Sequence, residues 1–195
     1  MCNMSPQKWK LLSKKDISPS TWFPLERRSY KLPNGHVVDD FVVTTVTDAV
    51  MVVPITKDKK VVLVNQYKPG LDEVVLEFPA GRIEPEDTDI AVRGAHELEE
   101  EAGIHVDPKQ LHKLAVLATF PTKGTEKLHI YLAYDVEFNS SQKLDVTEDI
   151  EVVSFTFAEF ENAIVDGRIW NAGTIASWQL AKMKFPQLFS IEESR

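Results

Sequence analysis

The sequence predicts an α/β fold of the mixed α+β kind: one mixed β-sheet covered by helices on both faces, preceded by a small β-rich subdomain. Two observations carry this. Apolar runs of strand length outnumber the helical patterns and do not alternate with them regularly, which points to a mixed sheet rather than a doubly wound parallel one. The chain is 195 residues long, enough to bury a full core and still carry a small appendage.

Each element follows from local pattern. Residues 27–46 read as a hairpin, Arg27 to Leu32 and Val37 to Val46 joined by the turn Pro33-Asn34-Gly35. The apolar runs Ala49 to Ile55 and Val61 to Gln66 flank a polar turn, Thr56 to Lys59. Val74 to Phe78 is a short strand running into a loop at Gly81. A helix then starts from Thr88 or Asp89 as cap and ends at Ala102, with Gly103 as its left-handed stop. Its apolar side is Ala91, Val92, Ala95 and Leu98. Gly94 costs about 1 kcal/mol against alanine in a helix, which implies close packing against a strand. Leu114 to Phe120, Leu128 to Phe138 and Ile150 to Phe157 read as strands, followed by helices near Ala158 to Val165 and Thr174 to Met183. Residues 1–46 form the accessory subdomain and 47–195 the main domain.

The acidic helix is the feature that speaks to chemistry. Glu97, Glu100 and Glu101 stand at i, i+3 and i+4, so their carboxylates leave one face of the helix close enough to share a cation. Such like-charge pairs cost an isolated helix roughly 0.2–0.5 kcal/mol each. A bare acidic run is ordinarily a solvated face; here a glycine loop precedes it and a glycine stop follows it.

Composition narrows the classes of partner. A formal charge of −8 with no basic run argues against nucleic acid or an anionic membrane. The single cysteine, Cys2, excludes an internal disulfide framework and suits a reducing compartment. No stretch approaches 18 apolar residues, and the first 16 residues lack an apolar signal core, so a cytoplasmic protein is expected.

Residues 81–104 resemble the Nudix hydrolase signature: G, five residues, E, seven residues, then R-E-U-x-E-E-x-G-U, with U aliphatic. The second half stands here as His96-Glu97-Leu98-Glu99-Glu100-Glu101-Ala102-Gly103-Ile104, departing only at His96. The interval from Gly81 to His96 is one residue longer than the pattern. The pattern's middle glutamate therefore has no counterpart in register, Glu86 and Asp87 being nearest, and the extra residue falls in the turn Glu86-Asp87-Thr88. In the family the arginine replaced by His96 orients the acidic cluster. Histidine is shorter, with an ordinary pKa of ~6.5.

Within the family the chain is most similar to the ADP-ribose pyrophosphatase group. Trp9-Lys10-Leu11-Leu12, Leu32-Pro33-Asn34-Gly35 and Asn65-Gln66-Tyr67-Lys68 resemble segments of that group, as does the run from Pro121 through Glu126. The resemblance implies a Nudix-type α/β/α sandwich and a homodimer. It also implies Mg²⁺, with Mn²⁺ as an alternative, held by Glu97, Glu100, Glu101 and the Ala80 carbonyl. Glu126 matches a loop position that supplies a further ligand or the general base, and Glu100 and His96 complete the catalytic candidates.

Substrate-binding candidates are Trp22, Arg27, Arg28, Gln66, Lys68, Arg82 and Pro121. Trp22 and Phe23 sit where related enzymes stack adenine near a two-fold axis, or they are core. Arg27 and Arg28 flank that pocket or simply alternate across a strand. Arg82 and Glu126 read equally as solvated loop residues, and His129 as an ordinary strand residue. The expected reaction is Mg²⁺-dependent cleavage of a nucleoside diphosphate sugar, ADP-ribose to AMP and ribose 5-phosphate. The alternatives are another sugar nucleotide such as GDP-mannose, or a ligand-sensing module with little turnover.

Overall fold

A computed structural model describes residues 6–190, so Cys2 lies outside the described part. The chain divides into two compact units, Met1–Thr47 with Ala118–Glu126, and Asp48–Leu117 with Lys127–Arg195.

The smaller unit is a three-stranded antiparallel sheet, β1 (Lys10–Asp16), β2 (Leu25–Lys31) and β3 (Val37–Thr44), in the order β1-β2-β3. The expected hairpin is β2–β3. Its turn closes through Gly35 N–H donating to the Leu32 carbonyl at 2.9 Å, and His36 N–H to Asn34 Oδ1 at 3.0 Å. β1 was not expected. It is exposed along its whole length and carries no alternating pattern to betray it. Trp9, Tyr30 and Phe41 meet edge to face with ring centres 5.8–5.9 Å apart, giving this sheet its aromatic nucleus. The segment Ala118–Glu126 joins it: Thr44 N–H donates to the Lys123 carbonyl at 2.7 Å, Thr125 N–H to the Thr44 carbonyl at 3.1 Å, and the Lys123 ammonium sits 3.6 Å from the Phe41 ring centre.

The larger unit is built on a seven-stranded mixed sheet. Its path is β10 (Ile150–Thr156), β5 (Lys60–Lys68), β4 (Ala49–Thr56), β9 (Lys127–Val136) and β8 (His112–Ala118). β6 (Glu73–Glu77) pairs with β5, and the three-residue β7 (Ala80–Arg82) pairs with β4. β4 and β9 are parallel, the other defined pairs around them antiparallel. β4 is buried on both faces, which is why it reads as an unbroken apolar run.

Helix α1 (Ile90–Ala102) covers one face; α2 (Phe157–Val165) and α3 (Ala172–Lys184) cover the other. On the α1 side Ala95, Leu98 and Ala102 pack with Val50, Val52, Val62 and Ile104. On the opposite side Phe160, Ala163, Trp178 and Ala181 pack with Met51, Val53, Ile55 and Leu63. This is an α/β/α sandwich. Among the described residues no helix is long and apolar enough to cross a membrane.

Helix α1 begins where expected, with Asp89 as N-cap accepting from Ala91 N–H at 2.9 Å. Of its expected apolar side, Ala95 and Leu98 are buried and Ala91 packs partly buried against them. Val92 is exposed, and the face turned inward is Gly94, Ala95, Glu97, Leu98, Glu101 and Ala102. Gly94 supplies the close approach: a Cβ there would lie 3.1 Å from Val50 Cγ2 and 3.3 Å from Val52 Cγ2. Gly103 ends the helix at φ 67°, its N–H donating to the Glu99 carbonyl at 2.9 Å. Gly103→Ala is expected to cost about 1–2 kcal/mol for the left-handed backbone, with further strain because the new Cβ would meet the Ser140 carbonyl oxygen at 2.9 Å. Thermal unfolding checks this; an unchanged midpoint would refute it.

Candidate active site

The site is assembled where β7 meets the inner face of α1. Val52 N–H donates to the Pro79 carbonyl at 3.0 Å, and β7 then pairs residue for residue with β4: Met51 with Ala80, Val50 with Gly81, Ala49 with Arg82. The loop following β6 is thereby pinned beneath the helix. Pro85 and Glu86 make the next turn, closed by Glu84 N–H on Asp87 Oδ2 at 2.8 Å and Asp87 N–H on the Glu84 carbonyl at 3.0 Å. This turn lies before the helix begins, in the stretch where the sequence places the extra residue.

Two glutamates one helical turn apart come down on this loop. Glu97 is 4% exposed and Glu101 3% exposed. Glu101 Oε2 accepts the Ala80 N–H at 2.8 Å. Glu97 lies against Gly81 so closely that a Cβ at residue 81 would overlap its carboxylate. Burial dominates the electrostatics of both. It raises Glu97 to about 7 despite the opposing Arg93 guanidinium, and Glu101 to about 8 despite the Ala80 hydrogen bond. These are oxygen donors held out of water with too little positive charge nearby.

Glu100 is half-buried beside them rather than among them. Among the described residues no three His, Cys, Asp or Glu side chains converge on one point. The structure thus brings two carboxylates of the expected triad onto the glycine loop and leaves the third at the rim. His96 is exposed, and its side chain makes no hydrogen bond or ion pair among the described residues.

Arg93, which sequence reasoning passed over, is the cation of this site. It pairs with Glu97 Oε1, stands 3.9 Å from Glu100 Oε2, and donates through Nε to the Arg82 carbonyl at 3.1 Å. Its i, i+4 spacing to Glu97 was the available signal. The Arg82 side chain itself is exposed and takes part through its backbone alone.

A second polar cluster adjoins Glu101. Lys68 pairs with the buried Glu77, and its ammonium also donates to Gln66 Oε1 at 2.5 Å. Glu77 Oε2 accepts from Asn171, the N-cap of α3, at 3.0 Å. Lys68 is close enough to Glu101 for its charge to favour the carboxylate, while Glu77 opposes it. Gln66 and Lys68 were expected near the site; Glu77 and Asn171 were not, because their pairing joins residues 94 positions apart.

The remaining candidates lie in the smaller unit. Trp22 is 80% exposed, so it is not core within one copy of the chain. Arg27 is exposed; Arg28 donates to Glu26 Oε2 at 2.8 Å and to the Tyr30 hydroxyl at 3.3 Å. Pro121 is exposed in the turn after Phe120. Glu126 Oε2 accepts from the Thr119 hydroxyl at 2.6 Å, closing the base of that loop. His129, on β9 of the larger unit, pairs through Nε2 with Asp48 at 2.9 Å, in keeping with a strand residue.

The donor set suits a hard divalent cation. Mg²⁺ takes oxygen ligands and commonly binds through one or two carboxylates, keeping several waters; Glu97 and Glu101 offer carboxylate oxygens of that kind.

The NUDIX domain model matches residues 45–177. The chain is 30% identical over 181 residues to a methanol dehydrogenase activator of Bacillus methanolicus, covering 90% of this chain and 96% of that one. It is 29% identical over 180 residues to an ADP-ribose pyrophosphatase of Bacillus subtilis (strain 168), covering 90% and 93%. A solved structure described as the crystal structure of ADP compounds hydrolase superposes with a TM-score of 0.82 at 24% identity, over 95% of this chain and 98% of the other.

Proposed function

This chain belongs to the NUDIX domain family, and from that premise we propose that it is a hydrolase of the pyrophosphate bond in nucleoside diphosphate sugars. Its substrate on this reading is ADP-ribose, split to AMP and ribose 5-phosphate, and its cofactor is Mg²⁺ with Mn²⁺ as a substitute. The observation that carries it is the pair of buried carboxylates, Glu97 and Glu101, set against the Ala80–Gly81 loop.

A pyrophosphate is itself anionic, and an acidic site repels it until cations intervene. Glu97 and Glu101, with Glu100 at the rim and the Ala80 carbonyl, would hold them. A bound divalent ion neutralises phosphate charge and lowers the pKa of an attacking water. The protein's own part is to fix those oxygens. Helix α1 sets their spacing, Gly94 brings the helix down to the sheet, and the β7–β4 pairing holds the loop. Gln66 and Lys68 supply polar contacts beside Glu101, and Arg82 a surface cation after the loop. In the smaller unit, Trp22 offers an exposed aromatic face of the kind that stacks on a base, with Arg27, Arg28 and Pro121 as companions in a homodimer.

Glu126 is the proposed general base, on a loop closed by Thr119. Glu126→Gln is expected to lower kcat by about 10²–10⁴-fold with a smaller change in KM. Steady-state kinetics check it, and a change confined to KM would remove Glu126 from the chemistry.

The reading as a whole is tested with a panel of ADP-, GDP- and UDP-linked compounds assayed for phosphate-bond cleavage with and without Mg²⁺. ADP-ribose should be cleaved fastest and only with metal. A preference for GDP-mannose would reassign the substrate; no cleavage of any member would leave a ligand-sensing module.

A further inference from the structure

The geometry points to Arg93 as the positioning residue of the cation site, an assignment that rests on the cation-binding reading of Glu97 and Glu101. Arg93 lies one turn before Glu97 on α1 and joins three things that otherwise have no common support. It pairs with Glu97, faces Glu100 at 3.9 Å, and donates to the Arg82 carbonyl on β7 at 3.1 Å. A planar guanidinium can do this because its donors leave in fixed, divergent directions; a lysine ammonium is a compact point charge.

Ordinary helix stabilisation does not account for the pair. Within an isolated helix the favourable order is acid before base at i, i+4, and Arg93–Glu97 has the reverse order. The pair is also largely buried, unlike a surface bridge, with the Glu97 side chain 5% exposed. Among the described residues Arg93 is the only cation paired with Glu97 or Glu100, since the His96 side chain forms an ion pair with neither. Only Oε1 of Glu97 is engaged, and no hydrogen bond reaches Oε2 among the described residues. Arg93 therefore steadies the carboxylate from one side while leaving an oxygen for a ligand on the other. The histidine at position 96 is tolerated because the orienting cation enters one helical turn earlier, from residue 93.

Direct titration of the metal-free protein with Mn²⁺, read by calorimetry or by the paramagnetic resonance of free Mn²⁺, tests this without any turnover. The wild type should bind Mn²⁺, and Glu97→Gln should abolish that site; if these two proteins bind alike, the cation-binding reading itself fails. Given binding by the wild type, Arg93→Gln should weaken the Mn²⁺ dissociation constant about tenfold or more, with circular dichroism unchanged. Arg93→Lys should recover part of that loss. In kinetics at saturating metal, kcat should fall in Arg93→Gln while KM for the substrate stays within about twofold. An unchanged dissociation constant with only a lower melting point would reduce Arg93 to a structural ion pair. Tighter Mn²⁺ binding by Arg93→Gln would show that the guanidinium competes for the site, and would equally overturn the assignment.

Discussion

Glu101→Gln is expected to lower turnover about a thousandfold while leaving the fold intact. The loss corresponds to several kcal/mol of transition-state charge stabilisation, the scale on which a misplaced metal acts. The same substitution should make the metal-free protein more stable near neutral pH. Burial raises the Glu101 carboxyl from 4.5 to about 8, so between those values the folded state holds a proton that the unfolded chain has lost. Stability of the metal-free protein must then fall as pH rises through that window, because the folded state binds more protons than the unfolded one. Glutamine at 101 removes that contribution. Denaturant titrations at pH 5 and pH 8, without divalent ions, should show a decline in the wild type that Glu101→Gln reduces. A variant that keeps full activity, or loses stability at pH 8, would contradict the role given to this side chain.

Gly81→Ala should produce the second large loss, about a hundredfold in kcat. The new methyl would occupy the space of the Glu97 carboxylate, which is the far end of a flexible side chain and can move aside. The backbone need not shift, so the melting point should change little. The displaced carboxylate is a different matter, since an error near 1 Å in a positioned group can cost about 10²-fold in rate. Kinetics and thermal unfolding on the same preparation separate the two effects. Retained activity would mean that Glu97 holds no position the reaction needs.

Much of this was legible in the chain because the informative elements are local. Helix α1 announces itself through Asp89, its apolar period and Gly103, all within 15 residues. Strands β4, β5 and β9 read as apolar runs because both faces of the sheet are covered. What escaped was set by distant partners. β1 is exposed along its length and owes its existence to pairing with β2. β7 is three residues long, held by β4 some 30 positions away. The segment Ala118–Glu126 joins the small sheet through Thr44, a contact no local pattern records. The apolar side of α1 was read correctly at Ala91, Ala95 and Leu98 and missed at Val92. Apolar periodicity places Val92 with the core and gives no sign of how deeply the glutamates sit, whereas the helix exposes Val92 and buries Glu97 and Glu101. Local rules fail where a site demands a costly arrangement.

The same reasoning explains why motif and geometry part company at residue 96. A motif specifies which residue type stands where, but the carboxylate needs only a cation at the right place. Arg93 reaches that place from the preceding turn, and Lys68 performs a parallel service for Glu77 beside Glu101.

Anomalous diffraction from a crystal soaked in Mn²⁺ bears most directly on whether the buried acids of α1 exist to grip a divalent ion. A peak about 2.2 Å from oxygens of Glu97 and Glu101, at the short distances typical of hard oxygen coordination, is the predicted result. A clean map at those side chains, with Mn²⁺ bound elsewhere or nowhere, would contradict it.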